Sequence, residues 1–331
     1  MKYDILSTVP AFLRDFLTYS ETIKGKSSKS IEEYYHDLLT FFRYIKLSKG
    51  LVAANDIAFE DILIDDIPVE LLKTITLSDL FSFLVYCKNE RGNNAATRAR
   101  KASTLRIFFK YLTTQVHLLD INPAQELDTP KIKKALPVHL SLQECYDLLS
   151  CVDGDYKDRD YCILTIFLNC GLRLSELCSL NLSDIDFEDR SLSVLGKGNK
   201  ERIIYLNDAC IAAISDYLPH RPVDGVARTE RNALFLSRLK KRISNKTIQH
   251  IVNKYLEKAG LADKGYSVHK LRHTAATLMY QHGGVDIRVL KEVLGHENIA
   301  TTQIYTHVSD NQVRSAISAN PLATVNKNKK K

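Results

Sequence analysis

The stretch from Ser267 to His307 concentrates side chains able to do chemistry. His269 and Arg272 stand three apart in a run with helical spacing, Gly295 and His296 follow, and Tyr305 lies nine residues beyond that histidine. A cationic pair, a second histidine and a phenol suit phosphoryl transfer, in which a protein positions a nucleophile and neutralises charge on non-bridging oxygens. Tyr305 is the expected nucleophile. A phenol with an ordinary pKa of about 10 is protonated at neutral pH, so it needs a base or cations that stabilise phenolate. His269 is the candidate base.

The same reaction needs positive charge on the phosphate and an acid for the departing oxygen. Arginine fits the first task, because its planar fork binds two phosphate oxygens and stays charged at any working pH. Arg173 and Arg272 would then take the place of metal ions, and the sequence contains no carboxylate cage for a metal. Lys197, flanked by Gly196 and Gly198 in a hairpin turn, is placed to reach over a bound strand and protonate a 5′ oxygen. Each residue also has an ordinary role: Arg173 and Glu176 make an i, i+3 surface ion pair, Lys197 is a loop lysine, and Tyr305 packs with its hydroxyl satisfied. His269 and His273 share a helical face as zinc ligands do, but Lys270 and Arg272 stand where a metalloprotease helix carries its glutamate. No metal and no cofactor are expected.

These residues must be held by elements that the hydrophobic spacing outlines. The first part of the chain reads as helical throughout, with a short segment after Ser7 and a stripe of Ile31, Tyr34, Leu38, Phe41 and Ile45 ending before Gly50. Two more helices are expected over 78–88 and 97–114, the second with Ala102, Leu105, Phe109 and Leu112 inward and Arg98, Arg100, Lys101, Arg106 and Lys110 elsewhere. Residues 122–137 hold three prolines and no sustained period, the mark of an extended linker. Beyond it, Ser141 and Glu144 form a capping box, 158–170 is an apolar and therefore buried helix ended by Gly171, and 191–195 with 202–206 make a hairpin. Helices follow over 208–218, 245–259, 267–281, 286–294 and 310–319.

Composition bounds the alternatives. With 331 residues and 45% hydrophobic content the chain can bury two cores, and no apolar run is long enough to span a bilayer. The N-terminus carries Asp4, Arg14 and Asp15 instead of a signal-peptide pattern, so a cytoplasmic location is expected. Seven cysteines, odd in number and without a C-x-x-C pair, read as reduced core residues. A net charge of +7 is compatible with a polyanionic partner, and the lysine-rich end from Asn326 adds unspecific phosphate attraction.

Taken together the motifs resemble the tyrosine recombinase (phage integrase) family. Arg173 stands in GLRLSEL, similar to the family's first arginine motif, and Lys197 in GKGNKER, similar to its hairpin lysine motif. His269 to His273, HKLRH, resembles the H-x-L-R-H box, and LGHENIATTQIYTH resembles the segment with the second histidine, His296, and the nucleophile, Tyr305. The resemblance implies that Tyr305 attacks a scissile phosphate, leaving a 3′-phosphotyrosyl link, and that cleaved strands are exchanged through a Holliday junction. Arg173 and Arg272 would hold the phosphate with His296 as a further donor, Lys197 would be the general acid and His269 the acid/base partner of the tyrosine.

It also implies a mainly α fold: an all-helical core-binding domain (1–121), a linker (122–137), a mostly helical catalytic domain with a small antiparallel β-sheet (138–320) and a basic tail (321–331). Expected partners are double-stranded DNA target sites, a homo-tetramer on two duplexes docked through the helix 310–319, and accessory proteins. With so few residues before Ser7, a compact, Xer-like member without an added arm-binding domain is expected, serving chromosome dimer resolution or the movement of a mobile element. A non-cleaving DNA-binding protein and a type IB topoisomerase are the alternatives.

Overall fold

The computed structural model describes residues 8–52, 57–130, 138–196, 200–295 and 302. The chain divides into two compact units, Met1–Lys134 and Ala135–Lys331. The first is helical: α1 (Ala11–Thr22), α2 (Ser28–Ser48), the short α3 (Val69–Lys73), α4 (Leu77–Asn89) and α5 (Ala95–Thr114). Three of these helices start earlier than apolar spacing alone suggests, because polar caps precede the stripe. Ser27 accepts from Ser30 N, Thr76 and Asp79 form a capping box, and Asn94 accepts from Thr97 N.

The core of this unit is aromatic. Phe16 meets Phe108 and Phe41 meets Phe83, each with ring centroids 5.2 Å apart and near-perpendicular planes. The stripe of α2 is inward as expected, with Ile31, Leu38, Phe41 and Ile45 buried. Lys101 departs from expectation. Rather than joining a solvated basic face it is buried on α5, its amine 2.9 Å from the buried carboxylate of Asp37 on α2. Residues 122–127 also depart from an extended linker: backbone bonds from Gln125 N to Asn122 O and from Leu127 N to Ala124 O coil them, and Ala124 and Leu127 join the helical core.

The second unit mixes helices with a small sheet. α6 (Leu142–Ser150) opens on the expected capping box, with Ser141 N donating to Glu144 Oε2 at 2.7 Å. α7 (Lys157–Cys170) is the central element, ten of its fourteen residues being buried. It packs against α9 (Asp208–Tyr217) and α11 (Val268–Gln281). Between them come α8 (Leu174–Ser179) and a three-stranded antiparallel sheet, β1 (Ile185–Asp186), β2 (Ser191–Leu195) and β3 (Glu201–Tyr205), in sequential order. The hairpin pairs Val194 with Arg202 and Leu195 with Glu201. α10 (Asn245–Lys258) and α12 (Ile287–Leu294) complete the described elements.

The mainly helical architecture with one small antiparallel sheet is therefore the expected one. All seven cysteines are free thiols and six are buried, so they serve as core residues. Among the described residues no helix is long and apolar enough to cross a membrane. The helix expected over 310–319, the tail and residues 131–137 lie outside the described residues.

Candidate functional site

The site is built around the buried carboxylate of Glu176, 3% exposed. Gly171 ends α7 in the left-handed conformation at φ +60°, and a Cβ there would stand 3.0 Å from Leu294 Cδ2, so this turn admits only glycine comfortably. The chain then enters α8 with Arg173 at its N-cap. Arg173 donates from its backbone N to Glu176 Oε2 at 2.8 Å and from Nη1 to Oε1 at 2.6 Å. Its other nitrogen, Nη2, donates to the carbonyl of Gly295 at 2.8 Å.

Two more guanidinium groups reach the same place. Arg202 on β3 forks onto Glu176, Nη1 and Nη2 each 2.9 Å from a carboxylate oxygen. Arg272 on α11 is buried, donates to the carbonyls of Gly171 at 2.7 Å and Leu294 at 2.5 Å, and stands 3.9 Å from Glu176 Oε2. Burial would raise the Glu176 carboxyl, but the bonds from Arg202 and Arg173 outweigh it and hold its pKa at about 2. Three guanidinium groups thus face one permanent carboxylate. A surplus of positive charge in a partly desolvated place is what a phosphodiester needs.

His269 lies one turn from Arg272 on α11. Its pKa is lowered, first by burial and then by the positive charges of Arg272, Lys270 and Arg173, which favours the neutral imidazole able to accept a proton. Arg173, His269 and Arg272 line one cleft of about 560 Å³ together with Leu174, Gln249 and Asn253. His273, on the next turn, stacks edge-on against His269 with centroids 4.5 Å apart. Among the described residues no group of three or more His, Cys, Asp or Glu could hold a metal ion. Ser267 occupies the N-cap of α11, yet its side chain makes no capping bond.

The structure thus brings together three of the six residues singled out from the sequence. Lys197, His296 and Tyr305 lie outside the described residues, although both chain ends next to Lys197 are placed: Gly196 N donates to Lys200 O at 2.8 Å. The ordinary alternative for Arg173 and Glu176, a surface ion pair, does not describe the contact, because the carboxylate is interior and shared. Sequence reasoning passed over Glu176 as the hub and Arg202 altogether. No local signal marked Arg202: in the structure it shares the inner face of β3 with Ile204, opposite the core residue Val194, while the apolar Ile203 faces outward.

Known proteins resemble this chain in sequence and fold. The profile of the phage integrase family matches residues 140–312, and that of the phage integrase N-terminal SAM-like domain matches residues 57–115. The chain is 51% identical over 314 residues to tyrosine recombinase XerC of Caldanaerobacter subterraneus subsp. tengcongensis, covering 95% of this chain and 88% of that protein. It is 38% identical over 244 residues to tyrosine recombinase XerD of Proteus mirabilis, covering 73% and 77%. Its fold matches that of the XerH site-specific recombinase in a post-cleavage complex with palindromic difH substrate, with a TM-score of 0.71, 21% identity and 96% of each chain covered. With its arginines gathered at one cleft and more than half its length matching the family's own profile, the chain belongs to the phage integrase family and is a site-specific tyrosine recombinase that cleaves and rejoins DNA strands.

Proposed function

We propose that Tyr305 is the nucleophile, that Arg173, Arg272 and His296 hold the scissile phosphate, that His269 serves the tyrosine as acid/base partner and that Lys197 is the general acid. The phenol oxygen forms a bond to phosphorus while the bond to the 5′ oxygen breaks. The phenol proton passes to His269, and the 5′ oxygen takes a proton from Lys197. The resulting 3′-phosphotyrosyl link keeps the bond energy, so the free 5′ hydroxyl of a partner duplex reverses the step without a nucleotide cofactor. Repeated on the second strand pair, this gives recombination through a Holliday junction.

The observation that carries the proposal is the convergence of Arg173, Arg272 and His269 on one cleft around a shared carboxylate. Guanidinium groups aimed at a common point supply fixed positive charge where negative charge grows in the transition state, and they need no reorganisation to do so. In this reading residues 1–121 form a DNA-binding core domain, 122–137 connect it to the catalytic domain at 138–320, and 321–331 form a basic tail. Double-stranded DNA is the partner, in the cytoplasm. The active assembly is a homo-tetramer on two duplexes, joined through residues 310–319 and served by accessory proteins. Resolution of chromosome dimers is the role that similarity to the XerC and XerD proteins favours.

The decisive experiment uses a nicked target site that traps the covalent intermediate. Wild type accumulates a protein-DNA adduct, and Tyr305→Phe loses it while binding the same site. Adduct that survives the substitution refutes the assignment.

A further inference from the structure

We infer that Arg202 is a positioning residue for strand cleavage: through Glu176 it locks the base of the β2–β3 hairpin to the arginine cluster and to the end of α12. The inference rests on the proposed function, since it assigns Arg202 to the same site. Its evidence is geometric. All three nitrogens of the Arg202 guanidinium are engaged, Nη1 and Nη2 by Glu176 at 2.9 Å each and Nε by the carbonyl of Val293 at 3.3 Å. Those partners belong to α8 and to the last turn of α12, so one side chain spans three elements.

The two glycines beside it fit the same account. Gly295, at φ +62°, approaches so closely that a Cβ would meet the guanidinium carbon at 3.1 Å, and a Cβ on Gly196 would stand 3.4 Å from Nη1. Gly295 offers its carbonyl to Arg173 and is the residue before His296. Gly196 precedes Lys197 and is tied to Lys200 across the hairpin. Arg202 is therefore packed against the residues that adjoin two of the proposed catalytic side chains. A lysine could not do this work, because a point charge on a flexible stem cannot bind both carboxylate oxygens and a third carbonyl in fixed directions. Arg202 itself is only partly exposed, each nitrogen of its fork binds the protein, and it has no need to touch DNA.

Single-turnover cleavage of two trapping substrates tests the inference, one with the ordinary 5′ oxygen at the scissile phosphate and one with a 5′ sulfur. Sulfur leaves without protonation, so it bypasses the general acid. If Arg202 positions the hairpin, Arg202→Met cleaves the oxygen substrate about 10²-fold more slowly, the lower end of what a positioned acid contributes, and recovers most of that loss on sulfur. Lys197→Ala should show the same pattern, Arg173→Ala should not, and affinity for the site should stay within about twofold of wild type, because uniform binding is untouched. Arg202→Lys should fall between wild type and Arg202→Met, and it replaces that variant if the methionine protein does not fold.

Undiminished cleavage of the oxygen substrate would overturn the inference, and so would an equal loss on oxygen and sulfur. If Lys197→Ala itself gains nothing from sulfur while wild type still forms the adduct, it is the lysine's role that fails. Arg202 is then decided by its cleavage against its binding. A loss above about tenfold at unchanged affinity sustains a positioning role, and parallel losses overturn it.

Discussion

Each unit of this molecule holds a buried carboxylate tied to several cations, Asp37 in the first and Glu176 in the second, and the two serve different ends. Asp37 on α2, 2% exposed, accepts from Arg100 Nη1 at 2.6 Å, Lys101 Nζ at 2.9 Å and Thr104 Oγ1 at 2.9 Å. All three partners lie on α5, so the cluster bolts one helix to another. Glu176 draws its partners from α8, β3 and α11, and two of them, Arg173 and Arg272, also line an open cleft. A buried ion pair is weak evidence of stability, because desolvation offsets most of the Coulomb attraction. Asp37 is one solution to helix packing among several. Glu176 is different: it holds more positive charge than it neutralises, and that excess is the functional product.

The largest expected effect follows from removing that hub. Glu176→Gln leaves the arginines repelling one another and slows cleavage of a trapping substrate by about 10²-fold or more, the scale of losing one aligned transition-state donor. At Asp37 the corresponding change should leave chemistry alone. Asp37→Asn destabilises the protein by about 3 kcal/mol, because it strands Lys101 in the interior, while cleavage per folded molecule stays within about threefold of wild type. The contrast sharpens when each carboxylate is made apolar together with some of its partners. Asp37→Leu with Lys101→Met and Thr104→Val restores stability to within about 2 kcal/mol, as buried ion pairs often allow. Glu176→Leu with Arg202→Met should fold and fail to cleave. Denaturant midpoints and adduct yields on the same preparations check all four variants, and equal cleavage losses at the two clusters would erase the distinction.

The same contrast explains what could be read from the sequence. The helical unit was largely legible because Ile31, Leu38, Phe41 and Ile45 repeat with the helical period; helix starts slipped by a residue or two where Ser27, Thr76 and Asn94 cap ahead of the apolar stripe, and the five-residue α3 is too short to show a period and was missed. Arg173, His269 and Arg272 were legible because their motifs are local. What joins them was not. Asp37 meets Lys101 and Glu176 meets Arg202 across gaps that no local period spans, and a charged residue on an amphipathic segment defaults to a solvated face. Lys101 and Glu176 were therefore both placed at the surface by reasoning sound for an average residue. Residues 122–127 failed for a related cause, since prolines mark where regular structure stops but not whether the chain beyond still packs.

A histidine supplies a second acid-sensitive group beside Glu176. His273 has its pKa lowered to about 4, by burial first and then by His269, Lys270, Arg272 and His139. A base whose folded pKa is depressed binds fewer protons folded than unfolded, so its contribution to stability is complete above pH 6.5 and is lost as pH falls toward 4. Half-buried as it is, the contribution is about 1–2 kcal/mol after allowance for solvent screening. Glu176 loses its own contribution only lower, as pH falls from 4.5 toward 2. Stability measured at pH 7 and pH 4.5 should therefore differ less in His273→Gln than in wild type, whereas Glu176→Gln should leave that interval nearly unchanged. A steep loss above pH 6.5 would assign the sensitivity elsewhere.

The smallest effect belongs to a carboxylate that is neither a bolt nor a hub. Glu144 is also held at about 2, against the effect of burial, by Lys264, by the backbone and hydroxyl of Ser141 and by Tyr266. Lys264 is more than half exposed, so its attraction is shared with water and salt, and the cap should matter more than the ion pair. Lys264→Met is expected to cost less than about 0.5 kcal/mol and to cost nothing measurable in about 1 M salt. Ser141→Ala, which removes the acceptor for the Glu144 N–H at the start of α6, should cost about 1 kcal/mol at either ionic strength. If the lysine variant proves the costlier of the two at low salt, a partly exposed carboxylate with an exposed partner behaves here like an interior one, and the division drawn from Asp37 and Glu176 fails.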